Sequence, residues 1–459
     1  MEKKKTVPDT SRSNFRLLSI SFLLGIAVVY PFLKYALVEP WLFSYEGGDF
    51  TIYYKAAQRL TAGRSPYPLD KLESPEEHGS SPIWGEYPYP PMLARLLIPA
   101  TRLPVIWAKR VYIGICLTAF FWILVPLLRN RFESPAQRWA AAAVLLGWGP
   151  FIYSIRLGQC ELLAIPFIAL AWRWMAKNPD PTKKVARTQS EFAAGVMLGI
   201  ASMVRVTPIV ILPILIVTFR WRLAVSFVVG AVGALLLSGP LTSYTFFTEV
   251  LPSMSDVGGM RYCPAFHVLF LDTIDTLAPL TRNPPFWLDH ARLISVGASG
   301  LFYAAVLGFL YTRRNRFSSL HLVFIGCYLA PLLAGKNPHH YTLALFPILA
   351  ATDLLVRRLY EGKQPAENGK SGSPAVTPFP MPWLESVFWV AVLAPGFSYW
   401  FPVKKAVEGF VGVLGIGGNV AFILSNVAAF LFVLFLFTRE GRRCVCKPDE
   451  RLPLENQVS

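Results

Sequence analysis

Apolar runs separated by short basic clusters recur along the chain from Arg16 to Thr438. A helix needs about 20 apolar residues to cross about 30 Å of hydrocarbon, and about twelve segments approach that length. They cover 16–38, 105–128, 139–155, 161–177, 192–204, 207–219, 223–240, 293–311, 318–335, 341–356, 383–400 and 410–437. The pattern predicts an all-α polytopic membrane protein with about 12 transmembrane or near-spanning helices. Two runs strain it. Segments 192–204 and 207–219 are each 13 residues long, about 20 Å as helix. They join at Arg205-Val206-Thr207-Pro208, where proline cannot continue a regular helix. Either they form a re-entrant hairpin, or their tips end beside a water-filled cavity that solvates the open backbone. Both arrangements put Arg205 at membrane depth.

Period and composition also mark what lies between the spans. Residues 50–62 place Tyr53, Ala56, Ala57 and Leu60 at helical spacing beside Lys55 and Arg59, which predicts an amphipathic helix at the membrane interface. Two long external segments, 39–104 and 241–292, interrupt the core, and the first is rich in Pro, Tyr and Gly. The expected organisation is a basic cytoplasmic N-terminus (1–15), a membrane catalytic core (16–356), a cytoplasmic linker (357–382), C-terminal membrane helices (383–438) and a cytoplasmic tail (439–459).

The chain has 459 residues, 54% of them hydrophobic and 16% charged, and a formal net charge of +16. Soluble domains are about a quarter charged, so a water-soluble enzyme is disfavoured. The excess of Lys and Arg gathers at the ends of apolar runs rather than on one polar face, so it reads as a topology signal and not as a nucleic-acid surface. Lys3, Lys4, Lys5, Arg12 and Arg16 precede the first run, which is expected to be a retained signal anchor. Arg129, Arg131 and Arg138, then Arg220 and Arg222, then Arg313, Arg314 and Arg316 occupy alternate loops. The positive-inside rule then puts both termini in the cytoplasm. The expected location is the inner cell membrane.

Under that orientation four polar clusters share the extracytoplasmic side. Glu46-Gly47-Gly48-Asp49-Phe50 precedes the interfacial helix, where Asp49 is either an N-cap or a projecting carboxylate. Arg156-Leu157-Gly158-Gln159-Cys160-Glu161 forms a tight turn between apolar helices, with Arg156 and Glu161 either pairing or serving a site. Arg205 stands at the broken tip. Lys336-Asn337-Pro338-His339-His340-Tyr341 ends another span. Arg, Lys and His offer donors and charge for phosphate oxygens. Adjacent His side chains diverge, and no further ligand accompanies them, so no metal is expected. Trp84, Tyr87 and Tyr89 suit either interfacial anchoring or stacking on sugar rings. Asp256, Arg261, His267 and Asp272 are weaker candidates for an acceptor site.

Gly48-Asp49-Phe50 with Tyr53, Ala56 and Ala57, followed by Gly63, Pro66-Tyr67 and Tyr87-Pro88-Tyr89-Pro90-Pro91, resembles the first external loop of glycosyltransferase family 87. Leu157-Gly158-Gln159, Arg205-Val206-Thr207-Pro208 and His340-Tyr341 extend the resemblance over about residues 45–350. These are polyprenyl-phosphate-dependent mannosyltransferases of superfamily C. The resemblance implies an inverting, metal-independent enzyme without a cofactor. It would take a sugar, typically mannose, from a polyprenyl phosphate and pass it to a hydroxyl of a lipid or glycan acceptor. It also implies Asp49 as general base, with His340 and Tyr341 near the donor phosphate or acceptor. Arg156, Gln159, Glu161, Arg205 and His339 complete the expected substrate-binding set. Two positions depart from the family pattern: Glu161 stands where Asn is usual, and Arg205 where Lys is usual. A secondary transporter is the rival reading, since many spans, a broken helix and buried charge also describe that class. The large first loop and the gathering of polar residues at outer ends favour the enzyme.

Overall fold

The computed structural model describes residues 48–67, 87–132, 135–176, 184–253, 291–334, 338–361 and 418–445, with Lys34 and Val38. Among these, the regular structure is helical throughout. The expected helix at 383–400, the loop candidates Asp256, Arg261, His267 and Asp272, and Trp84, Lys336 and Asn337 lie outside the described residues.

The interfacial helix forms as α1, Asp49–Thr61. Gly48, at φ 112°, turns the chain into it. That angle favours glycine. Its apolar positions recur at helical spacing, and Phe50, Tyr53, Tyr54, Ala56 and Ala57 are buried while Lys55 faces out. A short α2, Pro91–Leu96, packs beside it and leads to α3, Val105–Arg131. At 27 residues, α3 is about 40 Å long. One face of α3 is inward, with Lys109, Tyr112, Ile113, Cys116 and Phe120 buried, and the other exposes Trp107, Val111, Ile115, Trp122 and Val125. Trp122 is 77% exposed, a poor arrangement in water but a normal one against hydrocarbon.

The expected span 139–155 is two helices, α4 (Pro135–Gly147) and α5 (Gly149–Leu157), interrupted at Trp148 because Gly149-Pro150 starts a new helix. After α5, Gly158 in the left-handed conformation (φ 67°) closes the helix. The chain reverses into α6, Glu161–Ala176.

The two 13-residue arms expected around Arg205 resolve differently. The first is the second half of α7, Lys184–Val204, whose 21 residues are about 31 Å long. Lys184, Arg187, Gln189 and Glu191 extend the helix beyond its apolar stretch, which a count of apolar residues cannot detect. The second arm is a 3-10 turn, Thr207–Val210, followed by α8, Ile211–Val217. The next helix, α9 (Trp221–Ser238), packs on α7 more extensively than any other pair. Arg222 donates to Thr188 Oγ1 (3.0 Å), Gly195 abuts Ser226, and Gly199 abuts Phe227 and Ala231. These pairings climb together, so α7 and α9 run parallel. The segment between them, the 3-10 turn and α8, must therefore carry the chain back along the bundle.

Of the remaining described helices, α10 (Ala291–Thr312) and α11 (Ser319–Ala334) follow the expected runs closely, while α12 (Leu345–Glu361) and α13 (Gly418–Val445) are displaced toward the C-terminus from the expected 341–356 and 410–437. Tyr303 of α10 donates to the Val210 carbonyl (3.0 Å), Gly326 of α11 admits Ile211, and His321 stacks on Phe437 of α13 at 4.6 Å. Two described helices, Val105–Asn130 and Trp221–Ser238, are both long and apolar enough to cross a membrane.

Candidate active site

The start of α1, the inner face of α3 near its start, the α5 to α6 turn and the end of α7 meet at one end of the bundle. The first side chain they bring together is Asp49. It is the first residue of α1, and the N-cap position belongs to Gly48, with no side-chain cap. Its carboxylate Oδ2 instead accepts a hydrogen bond from Gln159 Nε2. The capping role is therefore replaced by the projecting one.

Gln159 is held on every side. Its backbone N–H donates to the Ser154 carbonyl (2.9 Å), its own carbonyl accepts from Tyr112 Oη (2.9 Å), and its Oε1 accepts from Tyr53 Oη (3.0 Å). The Tyr53 oxygen in turn accepts from the Cys160 N–H at 3.4 Å. An ionised carboxylate only accepts hydrogen bonds, so the amide nitrogen must face Asp49 and the amide oxygen must face Tyr53. The chain of donors thus runs in one direction and ends on Asp49. Burial raises the pKa of Asp49, while the Gln159 hydrogen bond and the charges of Arg205 and Lys109 pull it down; the balance leaves it raised. A carboxylate whose pKa is raised is, in its ionised form, a better proton acceptor than an ordinary one.

The second half of the cluster is an ion pair. Arg205 Nε lies 3.3 Å from Glu161 Oε1, and Arg205 Nη1 donates to Cys160 Sγ at 3.6 Å. Cys160 Sγ donates to Glu161 Oε2 at 3.4 Å, and the Arg205 guanidinium lies over the Tyr89 ring, 5.1 Å from its centroid. Glu161 is fully buried and Arg205 is 8% exposed. Of the two alternatives left open for Arg156 and Glu161, mutual pairing or service in a site, the structure shows Glu161 paired with Arg205, while Arg156, in the last turn of α5, is exposed. Cys160 is a buried free thiol among these groups.

The aromatic residues of the first loop also have settled places. Tyr87 is 4% exposed and donates to the Pro90 carbonyl (2.6 Å) while accepting from the Ala94 N–H, so it folds the entry to α2. Tyr67 stacks on it at 5.7 Å. Tyr89 stands edge-on to Tyr53 at 4.9 Å and carries Arg205. Tyr87 therefore packs inside the protein, away from an interfacial anchoring role, while Tyr89 is half-buried beside Arg205.

The late motif sits deeper. Tyr341 is fully buried on the turn Pro338–Ala344, and its carbonyl accepts from Trp148 Nε1 at 3.0 Å. Thr342 meets Ser154 Oγ at 2.7 Å and donates to the Pro150 carbonyl, which ties this turn to the helix that ends in Gln159. His339 and His340 lie on the same turn, with only their backbone described.

The family model for glycosyltransferase family 87 matches residues 87–335, more than half of the chain. The chain belongs to glycosyltransferase family 87. One solved structure, ArnT from Cupriavidus metallidurans bound to undecaprenyl phosphate, aligns over 94% of this chain and 78% of its own. The identity is 12% and the TM-score 0.35, a likeness too low to carry an argument. Curated proteins give no match. Within this family 87 chain, the family match covers Gln159, Glu161 and Arg205, while Asp49 precedes it and joins the cluster through its contact with Gln159.

Three participants escaped the sequence reading. Tyr53 was expected on an apolar helix face and in the family-like loop pattern, with no role in the site, yet its hydroxyl orients Gln159. Tyr112 and Lys109 lie within an apolar span, three residues apart on the buried face of α3. A polar pair at that spacing inside an apolar run was the available signal.

Proposed function

We propose that this glycosyltransferase is an inner-membrane protein of about twelve crossings. It moves mannose from a polyprenyl phosphate to a hydroxyl of a lipid-linked or glycan acceptor on the extracytoplasmic side. The acceptor oxygen attacks the anomeric carbon as its proton passes to the Asp49 carboxylate. The bond from that carbon to the phosphate oxygen breaks, and polyprenyl phosphate leaves as an anion. A phosphate needs no strong acid to depart, so a single base suffices. Attack opposite the leaving group inverts the anomeric configuration. Nearby cations favour the charge that builds on the departing phosphate.

The observation that supports this reading best is the Asp49 to Gln159 hydrogen bond at the bundle end where four separate elements converge. Gln159, locked by Tyr53 and Tyr112, fixes the carboxylate's direction, and a positioned base gains from such constraint. The donor class and the role of Asp49 rest on the family resemblance. The test is incubation of the purified protein with radiolabelled polyprenyl-phosphate mannose, glucose and arabinose in turn. Consumption of the mannosyl lipid alone supports the proposal, and consumption of a different one reassigns the sugar.

A further inference from the structure

We propose that the phosphate of the lipid-linked donor is seated by Lys109 together with Arg156, and that Arg205 acts as a strut. The inference rests on the polyprenyl-phosphate reading above and adds the residues that recognise its anionic group.

Arg205 is already engaged. Glu161 supplies its counter-charge, Cys160 takes one of its N–H groups, and Tyr89 covers its face. A guanidinium neutralised and covered in this way has little net charge left for a ligand. What it does is fix the α5 to α6 turn against the end of α7.

Lys109 is placed differently. It lies on the inner face of α3, one turn before Tyr112, and is 8% exposed. Its stem runs across Gly158: a Cβ on that glycine would lie 3.4 Å from Lys109 Cε and 3.5 Å from Cγ. Phe50 Cβ would be 3.0 Å away on the other side. Glycine is therefore required there by its positive φ and by the lysine stem that passes over it. Lys109 is within electrostatic range of both Asp49 and Arg156. Lys109 thus stands between a carboxylate that attracts it and a cation that repels it, and an anion entering between Lys109 and Arg156 relieves that repulsion. Trp107, Val111 and Ile115, on the opposite face of the same helix segment, are exposed and apolar.

The seat also couples binding to chemistry. The Lys109 charge is one of the influences that lower the Asp49 pKa. A phosphate that draws the ammonium to itself weakens that influence and makes Asp49 a stronger base when the donor is bound.

The experiment measures binding of decaprenyl phosphate to the full-length protein in phosphatidylcholine nanodiscs, with decaprenol as the phosphate-free control. Lys109→Gln should weaken decaprenyl phosphate binding about tenfold or more, the loss expected for one charge-assisted contact. Lys109→Arg should stay within about threefold of wild type, and Arg156→Glu, at an exposed position, should weaken binding at least as much as Lys109→Gln. Decaprenol binding should not change in any variant. Wild-type affinity in both Lys109→Gln and Arg156→Glu would overturn the seat while leaving the proposed function intact. If Lys109→Gln does not fold, unchanged binding by Arg156→Glu overturns it alone. Failure of the wild-type protein to distinguish decaprenyl phosphate from decaprenol would instead remove the donor class itself.

Discussion

Asp49 and Glu161 are carboxylates of the same polar cluster, contributed by positions more than a hundred residues apart, and they are held in opposite ways. Asp49 is only partly buried, and its hydrogen-bond partner is the neutral amide of Gln159. Glu161 is fully buried and has a guanidinium as partner. The first arrangement keeps a charge oriented without cancelling it, so the carboxylate stays able to take a proton. The second cancels the charge and fixes two helix ends together. Similar groups a short distance apart are thereby given separate work: one reactive, one structural.

The contrast is sharpest in substitutions of the two acids. Asp49→Asn should reduce transfer by about a hundredfold to ten-thousandfold, the usual contribution of a positioned base, as measured by initial rates with the mannosyl donor. Its thermal midpoint should match or exceed that of wild type at neutral pH. Because the folded pKa of Asp49 is raised, the folded state holds its proton to higher pH than the unfolded state does. Stability therefore declines as pH rises through that window, and an always-neutral Asn avoids the decline. Glu161→Gln should show the reverse balance. It leaves the buried Arg205 charge uncompensated, at a cost of about 3–5 kcal/mol, and chemical denaturation should detect it. The double variant Glu161→Gln with Arg205→Met should recover a large part of that loss, and a purely additive result would argue against the pair.

Much of this arrangement was legible beforehand, and the part that was not has a common cause. Helix α1 was predicted at 50–62 and found at 49–61 because its apolar residues keep strict helical spacing. The interruption at Arg205 was legible because Pro208 enforces it. The length of α7 was missed because polar residues such as Lys184 and Glu191 continue a helix beyond its apolar stretch. For Glu161 the sequence left open a pairing with Arg156, five residues away in the chain, or a site role, and did not offer its partner Arg205 from another helix. Proximity in sequence is a poor guide when a tight turn points its side chains apart. Tyr112 and Lys109 were absorbed into a span because a lone polar residue in an apolar run does not announce which face it occupies.

Smaller effects separate the scaffold from the cluster it supports. Gly199 of α7 packs directly on the backbone of Phe227 and Ala231, and Gly230 of α9 on Val196. Gly199→Ala should therefore force the parallel pair apart and cost about 1–3 kcal/mol, read as a lower denaturation midpoint. Gly233, in the same helix α9, has open space where a side chain would stand. Gly233→Ala should instead stabilise by about 0.5–1 kcal/mol, since it only restricts the unfolded chain. Neither substitution should change the pH dependence of transfer, because neither touches Asp49 or Gln159.

The most direct measurement is the pH dependence of kcat/KM for mannosyl transfer in the wild-type protein and in Gln159→Met. The acid limb of the wild-type profile should have its midpoint above the ordinary aspartate range, since burial raises Asp49. Removing the hydrogen bond that favours the ionised form should move that midpoint to still higher pH. An acid limb at the ordinary carboxylate position, or one that stays in place when Gln159 is replaced, would contradict Asp49 as the base.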